Sequence, residues 1–225
     1  MLHSKPYEGK YLSILGDSVS TLQRYNPPQN AVFYNVDSWS RFGVCIPEDT
    51  WWGQVIDALG GELLVNESYS GSLVCRHATC EIESYGCSDA RTGALGTAKR
   101  APDVIMVLMG LNDCGHAMPL TDDEEPTSLG VFSYAYALML QKLEKNYPAA
   151  EIWCLTLPRS ESRRDDRRLA RYSAVIRQAA ADARCRLVEL DHPDACYQAP
   201  DGLHPDVEGM KTLARRVVGE IVETE

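Results

Sequence analysis

Four short segments carry residue types suited to nucleophilic chemistry: "GDS" at 16–18, "NESYSG" at 66–71, "GLND" at 110–113 and "DGLHP" at 201–205. A serine hydroxyl is a weak nucleophile until a base removes its proton, and that base must be held in one tautomer. Ser18 stands at a polar corner where the apolar run Tyr11–Leu15 stops. His204 alone among the five histidines is placed beside an acidic residue in a loop leading into a helix, and Asp201 lies three positions before it. Asp201 can therefore reach back to His204 without help from another element. Acyl transfer also needs donors aimed at the developing oxyanion. The N–H groups of Ser18 and Gly71 and the side-chain amide of Asn112 are the candidates. Taken singly, each segment is also a good turn. The set is more than that, because each member falls just after an expected strand or just before an expected helix.

Five short apolar runs read as strands: Tyr11–Leu15, Leu63–Val65, Val104–Met109, Ile152–Leu157 and Leu187–Leu190. Most are continuously apolar, the pattern of strands covered on both faces. Amphipathic stretches at 50–61, 131–148, 167–184 and 205–222 alternate with them as helices, the last with Pro205 at its expected first position. Alternating strands and helices imply βαβ units and a mainly parallel sheet with ligands at the carboxyl strand ends. The segments after the first three strands, about 19–49, 72–101 and 114–129, are long for plain connections, and all would lie on that side. No linker or repeat divides the chain, so residues 1–225 are expected to form one domain.

Composition narrows the class. Hydrophobic content of 44% and charged content of 24% are those of a globular protein. A net charge of −10 disfavours nucleic acid and anionic membranes as partners. The longest dense apolar run, "VIMVLMGL", is too short to span a bilayer, and "MLHSKPYEGK" has no apolar signal core, which leads to a cytoplasmic expectation. Cys75, Cys80 and Cys87 share one loop without a zinc-type C-x-x-C spacing and read as thiols, with a local disulfide open to them in an exported protein. The arginines of "RSESRRDDRRLAR" alternate with acids and read as a solvated helix start.

The four segments in this order resemble the GDSL/SGNH hydrolases, whose name would here denote Ser18, Gly71, Asn112 and His204. The resemblance runs from the first strand to the last helix. It implies a three-layer α/β/α sandwich of flavodoxin-like type on a five-stranded, mostly parallel sheet, and a Ser-His-Asp mechanism without metal or cofactor. Ser18 would be the nucleophile, His204 the base and Asp201 its orienting partner. Ser18, Gly71 and Asn112 would form the oxyanion hole, with Asp17 and Asp113 bracing the two loops through backbone N–H groups. Two departures stand out: "GDSVS" lacks the family leucine, and Ser68 stands where many members carry glycine.

The expected reaction is hydrolysis of carboxylic esters, with short acyl groups such as acetyl on a carbohydrate or small alcohol. The segment "YNPPQNAVFYNVDSWSRFGV" mixes aromatic and amide side chains that suit a sugar ring or packing of the loop on its own domain, and no large apolar lid is apparent. A lysophospholipase or thioesterase is the alternative within the family. A metal-dependent phosphoesterase, reading "GD", "ND" and His204 as ligands, is the alternative from another class. An ordinary α/β-hydrolase fits less well, since its serine elbow is G-x-S-x-G and its acid and base sit on separate strand ends. Trp51 and Trp52 read as core. Arg76 or Arg91 could meet an anionic substrate, with surface ion pairing as the default.

Overall fold

All five apolar runs form strands of one parallel sheet: β1 (Tyr11–Gly16), β2 (Glu62–Asn66), β3 (Val104–Leu108), β4 (Glu151–Leu155) and β5 (Arg186–Val188). The computed structural model describes residues 5–78, 84–164 and 166–223. The strand order is β2-β1-β3-β4-β5, with every pair parallel. β1 and β3, fully flanked, are buried almost end to end, whereas edge strand β2 is half-buried over most of its length. That position, and not its composition, is why β2 is less covered than its apolar run suggests.

The helices are α1 (Trp39–Phe42), α2 (Trp51–Leu59), α3 (Asp89–Thr92), α4 (Leu111–Gly115), α5 (Phe132–Asn146), α6 (Arg167–Asp182) and α7 (Val207–Val222). α2 packs with α7 and α5 packs with α6. The chain steps from β1 to β2 in one direction and from β3 through β5 in the other. Right-handed crossovers therefore place the two helix pairs on opposite faces, giving three layers. Local signals set the helix ends. Thr50 accepts from Gly53 N at 3.0 Å to start α2, and Gly60, at φ +82°, closes it. The start of α7 differs from expectation: Asp206 caps it by accepting from Gly209 N at 2.9 Å, so Pro205 precedes the helix. The long segments after β1, β2 and β3 also contain more structure than their polarity suggests, namely α1, α3 and α4.

Trp51, Trp52 and Trp153 are fully buried with Ile14, Leu12 and Phe132 in one core. Cys154 is buried within β4. Arg163 pairs with Asp166 at 2.9 Å and Arg164 with Glu161 at 2.6 Å, in keeping with an ion-paired helix start; Asp165 lies outside the described residues. Cys75 and Cys87 are buried, and Cys80 lies outside the described residues. No helix among the described residues is long and apolar enough to cross a membrane.

Candidate active site

The strand order reverses between β1 and β3, and open α/β sheets bind ligands at that switch point. Gly16 pairs with Leu108 and Ile14 with Asn66. Ser18, the 67–71 segment and Asn112 thus leave the sheet from three adjacent strand ends.

The corner carrying Ser18 is tightly held. A Cβ on Gly16 would lie 2.7 Å from the hydroxyls of Ser20 and Ser68, so only glycine fits there. Asp17 Oδ1 accepts from Val19 N at 3.1 Å, and Thr21 donates its hydroxyl to Ser18 O at 2.9 Å. The indoles of Trp51 and Trp52 donate to Ser20 Oγ and Ser20 O at 3.1 and 3.0 Å. These tryptophans are core, as expected, but their polar edges also fasten the turn. Six atoms of the turn are thereby fixed by the fold itself.

The second segment is held by Arg91, for which the sequence suggests an anionic substrate or, by default, a surface ion pair. It is only 3% exposed. Its guanidinium donates to Gly16 O at 3.0 Å, Glu67 O at 2.6 Å, Ser72 Oγ at 2.8 Å and Ser84 O at 2.6 Å, and lies 3.3 Å from the Glu67 carboxylate. Burial draws Arg91 down to about 10, opposed by Glu67, so it stays charged at neutral pH. Arg91 is therefore a strut between the first and second segments. Gly71 has φ +81°, a left-handed conformation that glycine adopts without strain, and a Cβ there would meet nothing within 4 Å.

Asn112 enters through Gly110, whose φ of +122° turns the chain from β3 into α4. Its Nδ2 donates to Ser72 O at 3.0 Å, which sets the amide next to the Gly71 segment. Asp113 is buried and accepts from Val74 N and Cys75 N at 2.8 and 2.9 Å, the bracing expected of it. Burial raises the Asp113 carboxyl above its ordinary value against these two bonds.

The last segment closes on itself. Asp201 Oδ1 accepts from Leu203 N and His204 N at 2.9 and 2.7 Å, and Oδ2 lies 2.7 Å from His204 Nδ1. His204 Nε2 lies 2.9 Å from Ser18 Oγ. The turn, with Gly202 at φ +84°, is tied down by Ser160 Oγ on Gly202 O at 2.6 Å and by Tyr197 Oη on Leu203 O at 2.7 Å. Tyr34 Oη donates to Pro205 O at 2.7 Å. Burial raises Asp201, but the bonds from His204 and Leu203 outweigh it, leaving the carboxyl below its usual range. An ionised Asp201 only accepts, so Nδ1 carries the proton and Nε2 is free to accept from Ser18.

The aromatic 31–44 segment packs on its own domain, one of the two uses its composition allows. Tyr34 and Phe42 are buried, while Phe33 stacks on the His204 ring. The sequence does not single out Phe33, and it offers Arg91 only as a substrate or surface cation, not as a strut. The aromatic run marked the first only as a segment, and nothing local marked the second. Among the described residues, no group of three or more His, Cys, Asp or Glu side chains is gathered as a metal site would require.

Known proteins bear on this arrangement. The chain is similar in structure to a protein from Bacteroides ovatus described as a GDSL-like lipase, with 25% identity, TM-score 0.77 and coverage of 97% of this chain and 100% of that one. A second, from Bacteroides uniformis and described in the same terms, shares 27% identity at TM-score 0.76, covering 96% of each chain. The fold is also similar to that of Axe2, an acetylxylan esterase from Geobacillus stearothermophilus, at 21% identity and TM-score 0.62 over 96% of each chain. No match to the sequence was found among curated proteins. The sequence profile of GDSL-like lipases and acylhydrolases spans residues 10–221, from the start of β1 to the last turn of α7. With nearly the whole chain accounted for by that profile, the protein belongs to the GDSL-like lipase/acylhydrolase family.

Proposed function

We propose that the protein is a carboxylic ester hydrolase that works through an acyl-enzyme on Ser18. The observation that carries this reading is the hydrogen-bond chain from Asp201 through His204 to Ser18, at 2.7 and 2.9 Å. Ser18 Oγ attacks the carbonyl carbon while its proton passes to His204 Nε2. Asp201 holds the imidazole in the required tautomer and balances the imidazolium that forms. The oxyanion is met by the N–H groups of Ser18 and Gly71 and by the Asn112 amide. Collapse breaks the bond to the alcohol oxygen, which takes the proton from His204. Water then attacks the acyl carbon by the same route, releasing the acid and freeing Ser18.

Short acyl groups, such as acetyl on a carbohydrate or small alcohol, fit best. The segment beside His204 is polar and aromatic with no broad apolar lid, and the fold is shared with an acetylxylan esterase.

Hydrolysis of p-nitrophenyl acetate, butyrate and octanoate by wild type and Ser18→Ala, each with and without a chelator, tests the reading. Chelator-resistant activity that favours acetate and vanishes in Ser18→Ala is expected. Full activity in Ser18→Ala would reduce Ser18 to a turn residue. Loss with chelator would favour the metal-dependent alternative.

A further inference from the structure

Resting on the esterase reading, we infer that the groove between the 32–42 segment and Ser70 is the alcohol-side subsite. It takes a polyhydroxylated ring, a sugar unit, with Arg41 and Asp37 reading the ring hydroxyls.

The groove has a volume of about 380 Å³, and Phe33, Asp37, Arg41, Phe42, Ser70 and Asp201 are among the residues that line it. That volume lies within the range of small-molecule sites. The groove meets the proposed machinery at three points: Asp201 itself, Phe33 on the face of His204, and Ser70 beside Gly71. The direction follows from the proton path. The leaving oxygen must take its proton from His204 Nε2, so the alcohol departs on the His204 side of Ser18. Neither Gly71 nor Asn112 in α4, two of the proposed oxyanion donors, lines this groove, and His204 adjoins it through Asp201 and the stacked Phe33. A groove on the His204 side and away from those donors is assigned to the alcohol.

The chemistry of the walls selects the alcohol. Asn35 and Ser38 are committed to their own turn: Asn35 Nδ2 donates to Val32 O at 3.1 Å, Asn35 Oδ1 accepts from Asp37 N at 3.0 Å, and Ser38 Oγ donates to Asn35 O at 3.0 Å. Arg41 is not so committed. One of its nitrogens donates to Pro200 O at 2.8 Å and its guanidinium carbon lies 5.4 Å from the centre of the Phe42 ring, leaving further N–H groups facing solvent. Asp37 is exposed and forms no ion pair among the described residues. A guanidinium that only donates, a carboxylate that only accepts and an apolar edge from the half-buried Phe33 match a ring whose hydroxyls donate and accept while its C–H face is apolar. A plain aliphatic alcohol would leave Arg41 and Asp37 unused. An anionic alcohol would meet two carboxylates, Asp37 and Asp201.

The test compares a mono-O-acetyl methyl glucopyranoside with ethyl acetate, in wild type, Arg41→Ala and Asp37→Asn. The quantity read is the ratio of kcat/KM for the acetyl sugar to that for ethyl acetate. Wild type should favour the sugar, and each variant should lower the ratio by about tenfold, mainly through KM, as loss of a charged hydrogen bond does. An unchanged ratio in both variants, or no preference in wild type, overturns the subsite while Ser18-dependent hydrolysis of ethyl acetate leaves the esterase reading standing. Equal loss on both esters in Arg41→Ala, with Asp37→Asn unchanged, would assign Arg41 to holding Pro200 and also overturn it. If ethyl acetate hydrolysis survives Ser18→Ala, the esterase reading itself has failed and the subsite falls with it.

Discussion

The rings of Phe33 and His204 lie face to face, with centres 3.5 Å apart and planes 12° from parallel. Tyr34 and Phe42 meet the same imidazole edge-on at 6.4 and 6.3 Å. The proposed base is thus boxed by aromatic surface on several sides, with Asp201 as its ionic partner. Burial lowers the His204 pKa below the ordinary histidine value, and the hydrogen bond and charge of Asp201 recover only part of that shift.

The acidic limb of the activity profile should reflect this box. The base works only when neutral, so kcat/KM should fall with decreasing pH around a midpoint below the ordinary histidine value of about 6.5. Phe33→Ala opens one face of the ring to water and weakens the dominant shift, so the midpoint should move to higher pH. The profile of kcat/KM between pH 4 and 9 in the two proteins checks it. A limb that stays in place would show that Phe33 packs the loop without tuning the base.

Asn112 is the proposed donor whose contribution can be removed without touching the triad. Asn112→Ala should lower kcat by about 10²–10³, the usual effect of deleting one oxyanion donor. The same change frees Ser72 O from its 3.0 Å bond, so a urea unfolding curve should accompany the kinetics. A near-wild-type kcat would remove Asn112 from the oxyanion site. A large stability loss would assign it to bracing the 72–75 loop.

Much of the fold is legible in the sequence because parallel strands covered on both faces need unbroken apolar runs, and β1 and β3 have them. The half-exposed state of β2 is not legible, since edge position depends on strand order and not on "LLV" itself. The pairing of Asp201 with His204 is legible because it closes within one turn. Arg91 is not. Its partners at Gly16, Glu67, Ser72 and Ser84 are separated along the chain, and only the folded sheet brings them around one guanidinium. Pro205 misled by two positions, because Asp206 after it is the cap and Val207 the first helical residue.

Arg91 is therefore the place where stability and site geometry meet. Arg91→Ala would leave the Glu67 carboxylate buried without its cation and the Gly16, Glu67 and Ser84 carbonyls without this donor. Breaking such a pair costs about 3–5 kcal/mol. Urea unfolding should show a loss of that size, and Arg91→Met combined with Glu67→Gln should recover part of it by removing the orphaned charge. A loss below about 1 kcal/mol, the ordinary worth of a surface pair, would mean that the strut bears little weight.

Asp17 gives the fold a pH dependence of its own. Its side chain is fully buried, with Oδ1 accepting from Val19 N at 3.1 Å and no hydrogen-bond partner for Oδ2 among the described residues. Burial, with the charge of Asp113 adding to it against the Val19 bond and Arg91, pushes its pKa up to about 7. An unfolded aspartate titrates near 3.9. The folded state therefore holds this proton more tightly than the unfolded chain. The resulting stabilisation is complete below about pH 4, declines as pH rises and is lost above about pH 7. A shift of about three units sets an upper bound of about 4 kcal/mol on the effect. Asp17→Asn keeps an oxygen for Val19 N and cannot ionise, so it should lose less stability than wild type between pH 5 and pH 8 in urea unfolding. Asp113 and Glu67, raised by burial, and Asp201, lowered by its bonds, are present in both proteins, so the difference between the two curves reports Asp17 together with its coupling to Asp113 and Arg91. Parallel curves would place the Asp17 pKa in the ordinary carboxyl range and leave its role as that of a plain turn acceptor.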